Sequence, residues 1–432
     1  MGLYQINDIG QQQGLGAESL AHLYQVFELC QGKISTDSRH TVPGSIFFAL
    51  GGENFDGNQY AAKALAEGAV MAVVDNPSVA DGSDQYLVVE NSLVALQCLA
   101  VHHRRTLGIP IVALTGSNGK TTTKEFLRLA LGVKFNVGYT LGNLNNHIGV
   151  PLTVLSFTRH TQVGIVEMGA NHGGEIDALC GIARPNVGLI TNIGRAHLDG
   201  FAGPDGVRRG KGELYDYLRD TSGTAIYNAD DETLQSMIDE REGLRAVPYY
   251  TSNIPRLSQN GFNSLSLFGQ YNILNAVAAI KVAEFMGVNC AQAIDAVYSY
   301  VPRNNRSEIA LTERGNTLVV DCYNANPSSM AAAISEFAIL KSDKPKAMIL
   351  GQMRELGEYS SAEHRAVIEM ASWCDELYFV GENYVIDSAK AHLHFDTVQE
   401  LKNWISDHPI SAHVVLIKGS RLVELERVIE AL

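Results

Sequence analysis

An α/β fold built on parallel sheets is the class this sequence predicts, and three observations predict it. Short apolar runs recur along all 432 residues. Most of them close on a glycine or a polar residue and lead into a helical pattern. The runs are nearly continuous rather than alternating with polar residues, as strands of a parallel sheet covered on both faces are. The scheme restarts twice, dividing the chain into blocks at 1–90, 91–306 and 307–432. These read as a small α/β domain, a larger parallel-sheet domain and a second doubly wound unit.

In the first block the run Ser45-Ile46-Phe47-Phe48-Ala49-Leu50 is a strand that ends in Gly51-Gly52-Glu53-Asn54-Phe55-Asp56-Gly57. A helix over 59–67 and a strand over 70–74 follow. The helical stretch 92–105 ends in two histidines and two arginines and leads into the second block. The strands expected there are 111–114, 163–167, 187–193 and 224–228, with a helix over 271–286 closing the block. In the third block the expected strands are 317–321, 347–350, 377–380 and 414–417.

The most informative stretch begins at Ile111-Val112-Ala113-Leu114, a buried strand ending at Thr115. Gly116-Ser117-Asn118-Gly119 then turns the chain into Lys120, Thr121, Thr122 and a helical pattern over 125–131. Gly116 and Gly119 allow backbone N–H groups to close on phosphate oxygens. Lys120 is a mobile cation for the β- and γ-phosphates, and Thr121 offers a hydroxyl to Mg²⁺. The helix that starts here points its positive end at the anion. A full G-x-x-x-x-G-K-[ST] motif would place glycine at Leu114, so this is a shortened phosphate loop, and it predicts ATP binding. The alternative is a plain Gly/Ser/Asn connection from strand to helix.

Ligands of open α/β sheets sit beyond the carboxyl ends of the strands, and several polar residues fall there. Glu167 ends its strand and suits Mg²⁺ beside the phosphate loop, or caps the next helix. His197, after Thr191-Asn192-Ile193-Gly194-Arg195-Ala196, is a metal or phosphate ligand or a loop histidine. Asp321 and Lys418 hold the same kind of position in the third block. Lys211, in Gly210-Lys211-Gly212-Glu213-Leu214, reads by itself as a solvated lysine at a helix start.

Composition excludes several classes. A net charge of −14 without a long basic cluster argues against nucleic acid or an anionic membrane as partner. An apolar fraction of 46% with 19% charged residues is ordinary globular composition. The six cysteines are scattered with no Cys-x-x-Cys spacing, which suits a reducing compartment better than disulfides or zinc. No apolar run approaches the ~18 residues of a membrane span and no basic-then-apolar leader is present, so a cytoplasmic location is expected.

Taken together, these residues resemble the Mur ligase family, which also includes folylpolyglutamate synthases. Thr115-Gly116-Ser117-Asn118-Gly119-Lys120-Thr121-Thr122 is similar to its ATP loop, and Gly142-Asn143-Leu144-Asn145-Asn146-His147-Ile148-Gly149-Val150-Pro151 to the segment after its first helix. Glu167-Met168-Gly169-Ala170 and Thr191-Asn192-Ile193-Gly194-Arg195-Ala196-His197-Leu198 resemble its metal- and phosphate-facing strand ends. Asn272-Ile273-Leu274-Asn275-Ala276 resembles its adenine-side helix. Asp37-Ser38-Arg39 with the 42–50 run resembles the uridine-nucleotide domain of members that add the third and later peptide residues. Asp321-Cys322-Tyr323-Asn324-Ala325-Asn326-Pro327-Ser328-Ser329-Met330 and Leu350-Gly351-Gln352-Met353-Arg354-Glu355-Leu356-Gly357 are similar to signatures of the member that adds a D-alanyl dipeptide. The Asp-Asn-Pro-Arg of the tripeptide synthetase is absent. Departures are Gln352 for aspartate, Asn58 and Tyr271 for histidine, and Pro302-Arg303-Asn304-Asn305-Arg306 for Gly-Arg.

The resemblance implies a three-domain architecture: a UDP-N-acetylmuramoyl-peptide domain, a central ATPase domain and a Rossmann-like C-terminal domain that binds a dipeptide and closes over ATP. It implies an ATP-dependent ligase that joins D-Ala-D-Ala to the UDP-linked tripeptide through an acyl phosphate, acting as a monomer. ATP would be held by residues 115–122 (Thr115, Gly116, Ser117, Asn118, Gly119, Lys120, Thr121, Thr122), by Asn272 and Asn275, and by Asp321 and Arg306, with Arg303 as the alternative to Arg306. Substrate contacts would come from Asp37, Ser38, Arg39, Phe55, Asp56, Gly57, Asn145, Asn146, Asn324 and Asn326. Thr121 and Glu167 would hold one Mg²⁺, and His197, Glu167 and a carbamylated Lys211 a second. Lys120, Glu167, His197 and Lys211 would be the catalytic set, although a plain Lys211 pairing with substrate phosphate or Glu213 stays open. Another Mur-type ligase such as the tripeptide synthetase, or a non-catalytic ATP-binding regulator, are the other readings.

Overall fold

The computed structural model of the chain describes residues 15–432 except 53–54, 255–266, 303–304 and 386–392. Three main sheets follow one another along it. The first is parallel, with strands Ile34–Ser35, Ile46–Phe48, Met71–Val74 and Tyr86–Val88 in that order. The run from Ser45 to Leu50 is buried throughout, which makes its central part a core strand. Beyond it Gly51–Gly52 and Phe55–Asp56 form a short antiparallel pair.

In the central sheet six parallel strands lie in the order Arg245–Tyr249, Thr224–Asn228, Val187–Ile190, Ile111–Thr115, Val163–Glu167, Val137–Tyr139. Alternate residues of the Ile111–Thr115 strand enter opposite cores. Val112 and Leu114 pack with Phe126, Leu127, Val277 and Ile280 of the Lys120–Gly132 and Gln270–Phe285 helices. Ile111 and Ala113 share a core with Leu96, Leu99, Leu179 and Leu214 of the Ser92–Leu107, Glu175–Ala183 and Pro204–Asp220 helices. Both faces are covered, which is why the strand is apolar from Ile111 to Leu114. The central place of this strand sets the phosphate loop between the ends of Val163–Glu167 and Val187–Ile190.

The third sheet has the order Glu308–Leu311, Thr317–Asp321, Val414–Lys418, Lys346–Gly351, Glu376–Val380, Leu393–Phe395. Only Glu308–Leu311 runs antiparallel among the described pairs.

Two differences from the sequence reading have physical reasons. The strand expected over 187–193 stops at Ile190, because the side chains of Thr191 and Asn192 turn to the phosphate loop, where Thr191 Oγ1 and Asn192 Nδ2 donate to the Asn118 carbonyl at 2.6 and 3.0 Å. The strands Val137–Tyr139, Arg245–Tyr249, Glu308–Leu311 and Leu393–Phe395 had no counterpart in that reading. All four are edge strands with few buried residues, so they carry no apolar run. None of the six cysteines is in a disulfide. Among the described residues no helix is long and apolar enough to cross a membrane.

Candidate active site

A cavity of about 680 Å³ opens at the carboxyl ends of the central strands and is closed on its far side by loops of the third sheet. Its floor is the phosphate loop. Gly116 and Gly119 have φ of +141° and +81°. A Cβ on Gly116 would lie 2.0 Å from Thr191 Oγ1, and one on Gly119 2.4 Å from Asn275 Oδ1. Both positions therefore require glycine for conformation and for space. The loop is braced from the neighbouring strand end: Asn118 N donates to Asn192 Oδ1 at 3.1 Å, and Gly194 N to Ser117 Oγ at 2.8 Å. The Lys120 ammonium folds back onto the carbonyls of Gly116 (2.6 Å) and Ser117 (3.3 Å). Burial lowers its pKa, and Arg306 adds to this against the opposing effect of Glu167.

Glu167 is only 2% exposed. Its Oε1 accepts from Thr121 Oγ1 at 3.2 Å and from Asn145 Nδ2 at 2.9 Å. Its Oε2 is buried with no hydrogen-bond partner among the described residues. A buried carboxylate oxygen without a partner is costly unless something completes it. Mg²⁺ is characteristically held by one or two carboxylates together with substrate phosphates and water. A carboxylate, a hydroxyl and a phosphate loop fit that ion, although among the described residues no group of three His, Cys, Asp or Glu side chains is placed to hold a metal.

His197 sits in the left-handed region at φ +53°, and its Nδ1 pairs with the Glu355 carboxylate of the third unit. That contact holds Glu355 below the usual carboxylate range. Lys211, on the Pro204–Asp220 helix, is 1% exposed rather than solvated. Its ammonium donates to Ala170 O at 2.9 Å and lies 5.0 Å from the centre of the Phe201 ring. Burial, then the Lys120 charge, pull Lys211 well below the ordinary lysine range, against Glu175 and Glu213. Glu213 itself is occupied, accepting from the backbone N–H groups of Gly174 and Asp177.

On the nucleoside side, Asn272 donates to Phe268 O at 2.7 Å, and Asn275 donates to Asn272 Oδ1 at 3.2 Å. The Arg306 guanidinium lies 3.7 Å over the Tyr323 ring. Arg303 falls outside the described residues. Asp321 pairs with Lys418 at 2.6 Å, and Lys418 also reaches Asn324 O. Asn326 caps the Pro327–Ile339 helix and crosses to the phosphate loop, its Nδ2 donating to Asn118 Oδ1 at 2.7 Å. Asn146 also lines this cavity, and Thr115 and Thr122 stand at its loop, Thr115 Oγ1 donating to Met168 O.

The uridine-side residues do not line this cavity. Asp37 and Arg39 form an exposed two-pronged ion pair at 2.7 to 2.9 Å, with Ser38 between them, and Arg39 holds the Asp37 carboxyl far below its usual range. Phe55 is 58% exposed, and Asp56 accepts from both nitrogens of Asn58. A Cβ on Gly57 would lie 2.4 Å from Leu50 O. Asn58, the departure from histidine, is buried and tied to Asp56, Asp75 and the Asn76 backbone. Gln352, the departure from aspartate, accepts from Asn383 Nδ2 at 3.0 Å. Tyr271 bonds to Ser307 Oγ.

Sequence reasoning missed Glu363; Thr191, Asn192, Ser328 and Glu355 lie in segments it singled out but had no role of their own there. Arg195 pairs with Glu363, and its backbone N–H donates to Ser328 Oγ at 2.7 Å. Glu363 acts across domains, through Arg195, and leaves no local signal.

Comparison with known proteins gives consistent matches. Residues 33–114 match the Mur ligase family catalytic domain, 114–283 the Mur ligase middle domain, and 305–421 the Mur ligase glutamate ligase domain. The UDP-N-acetylmuramoyl-tripeptide–D-alanyl-D-alanine ligase of Escherichia coli K12 is 34% identical over 429 residues, covering 92% of this chain and 93% of its own. That of Bacillus subtilis is 31% identical over 425 residues, covering 92% of each. The MurF structure from Acinetobacter baumannii superposes with a TM-score of 0.80 at 30% identity, covering 94% of this chain and 97% of its own. The MurF ligase of Thermotoga maritima in complex with ADP gives 0.81 at 26%, with the same coverage.

Proposed function

The chain belongs to the Mur ligase family, and from that premise we propose that it joins D-alanyl-D-alanine to UDP-N-acetylmuramoyl-tripeptide at the expense of ATP, a step in making peptidoglycan precursor. The observation that carries the reading is the meeting of Lys120, Thr121 and Glu167 in a single cavity that the third unit closes. The reducing compartment that suits its cysteines is the cytoplasm.

A carboxylate is a poor acyl donor. Transfer of the ATP γ-phosphoryl group to the terminal carboxylate of the tripeptide gives an acyl phosphate and ADP. The amine of the dipeptide then attacks the acyl carbon, the amide bond forms and phosphate leaves. The first step brings two anions together, so positive charge must be fixed at the point of contact. Lys120 supplies it from the loop that holds the phosphates. Thr121 and Glu167 would hold Mg²⁺, which when bound contributes further charge neutralisation. Asn118 and Asn326 tie the phosphate loop to the dipeptide-side loop, and closure of these units keeps water from the acyl phosphate. The attacking α-amine has a pKa near ~8, so it needs no strong base. Lys211, kept toward its neutral form by burial, is the amine able to take up CO₂ as a carbamate.

Phosphate release by the purified protein with ATP, Mg²⁺ and UDP-tripeptide tests the reading. Release should depend on D-Ala-D-Ala with a diaminopimelate or a lysine tripeptide. Dipeptide-independent release, or none with either tripeptide, would reject it.

A further inference from the structure

A second cavity, of about 240 Å³, lies at the opposite end of the central sheet. Its walls include Asn186 and Gly223, which immediately precede the Val187–Ile190 and Thr224–Asn228 strands. Strands of four and five residues at ~3.3 Å per residue put it on the order of 15 Å from the phosphate loop. Arg104, Arg105 and Arg184 line it, and no Asp or Glu does. Among the described residues none of these three arginines is in an ion pair, in a chain whose net charge is −14.

Arg104 is the fixed element. It is only 6% exposed. Its Nε donates to Ala183 O at 2.9 Å, and its Nη2 to Arg184 O and Asn186 Oδ1, both at 3.1 Å. These bonds lock the planar guanidinium, while Nη1 has no partner among the described residues. Burial, then the nearby Arg184 charge, push Arg104 down from its ordinary range. A buried cation without a counter-charge is costly.

The Ser92–Leu107, Glu175–Ala183 and Pro204–Asp220 helices all end here. Each helix end carries roughly half a negative charge, so together they offset about half of the three positive charges. Of the carboxylates on the last helix, Asp216 and Asp220 are already taken by Arg219 and Arg241, and Asp177, on the Glu175–Ala183 helix, acts on Tyr217 but among the described residues pairs with none of the three arginines. A net positive charge therefore remains, with the hydroxyls of Tyr217, Thr221 and Ser222 around it.

We propose that this cavity is a binding site for a phosphate-type oxyanion, either free phosphate or the phosphate of a small monoester. Its volume suits a phosphate with attached groups left outside. Arginine's N–H donors suit such an anion; the Nε and Nη2 of Arg104 are taken by Ala183, Arg184 and Asn186, which fixes the group and leaves Nη1 to donate. The site is separate from the catalytic cavity and does not depend on the ligase assignment.

Equilibrium dialysis of the full chain, with ADP and Mg²⁺ saturating the catalytic cavity, tests this using labelled inorganic phosphate and labelled glycerol phosphate. The comparison variant is Arg105→Gln with Arg184→Asn. Both side chains are exposed, and asparagine tolerates the left-handed backbone of Arg184 at φ +49°. The double variant should melt within a few degrees of the parent and bind at least about tenfold more weakly, the worth of one lost hydrogen bond to a charged group. Lys120→Ala should keep this binding. Uptake of phosphate identifies a free-anion site, and uptake of the monoester alone a tethered phosphate; either supports the proposal. Uptake of neither, uptake unchanged in the double variant, or uptake lost in Lys120→Ala would overturn it.

Discussion

Lys120, half-buried, and Lys211, buried, both lie near the phosphate loop, yet their surroundings give them opposite tasks. Lys120 is held against the loop's own carbonyls, within reach of the Glu167 charge. It is therefore preorganised for charge that develops on a transferring phosphoryl group, and Lys120→Ala should lower kcat by about 10²-fold or more with a smaller change in the KM for ATP. Steady-state kinetics at varied ATP would show this, and near-normal turnover would mean the phosphate site is elsewhere. Lys211 instead faces Ala170 O and an aromatic ring, where a bare ammonium is poorly compensated. If it works as a carbamate, Lys211→Ala should regain activity with a short-chain carboxylic acid, which restores a hard oxygen ligand. Rescue by a primary amine instead would leave Lys211 as a simple cation.

The Ser92–Leu107 helix illustrates how an element is pinned by one titratable group. His103 is 6% exposed and sits between two neighbours. Its Nε2 must donate to Phe157 O at 2.9 Å, which leaves Nδ1 to accept from Tyr24 OH at 3.2 Å on the Ala17–Leu29 helix. That pattern needs the neutral ring. Burial lowers the His103 pKa, and His364 is shifted the same way. A histidine whose folded pKa lies below its unfolded value of ~6.5 leaves the unfolded chain holding more protons between the two. Stability contributed this way is complete above that unfolded value and declines as pH falls below it. The urea midpoint should thus drop between pH 7.5 and 5.5, and drop less in His103→Gln. Equal losses in the two proteins would show that His103 is not the group responsible.

At the scale of the molecule, the loop after Val187–Ile190 links the second and third units. It carries Arg195 and His197, which meet Glu363 and Glu355, while Asn118 meets Asn326. These contacts are polar, of the kind that surfaces which part and rejoin can exchange for water, and beside them Phe268 of the second unit packs against Phe337 of the third. Saturation with an ATP analogue and UDP-tripeptide should reduce the radius of gyration in small-angle scattering. An unchanged radius would argue for a rigid assembly. The mass from the same scattering data tests the monomer that the sequence reading expects.

The sequence by itself determined whatever is written in neighbouring residues. The Gly116-to-Thr122 loop was legible because its glycines, lysine and hydroxyls are consecutive and impose one local backbone. The doubly covered strands were legible because burial on both faces demands unbroken apolar runs. Pairings between distant positions were decided only by the fold. Thr121 meets Glu167 across 46 residues because the Ile111–Thr115 strand, which leads into the helix of Thr121, is the neighbour of Val163–Glu167 in the central sheet, an order no local pattern encodes. His197 meets Glu355 across 158 residues because two separate sheets face each other. Lys211 read as a solvated lysine because its flanking glycines look like a helix start; it lies mid-helix, and packing against Phe201 and Ala170 buries it. The arginine cavity follows the same rule: Arg104 and Arg184 stand on different helices, and only the convergence of three helix ends brings them together.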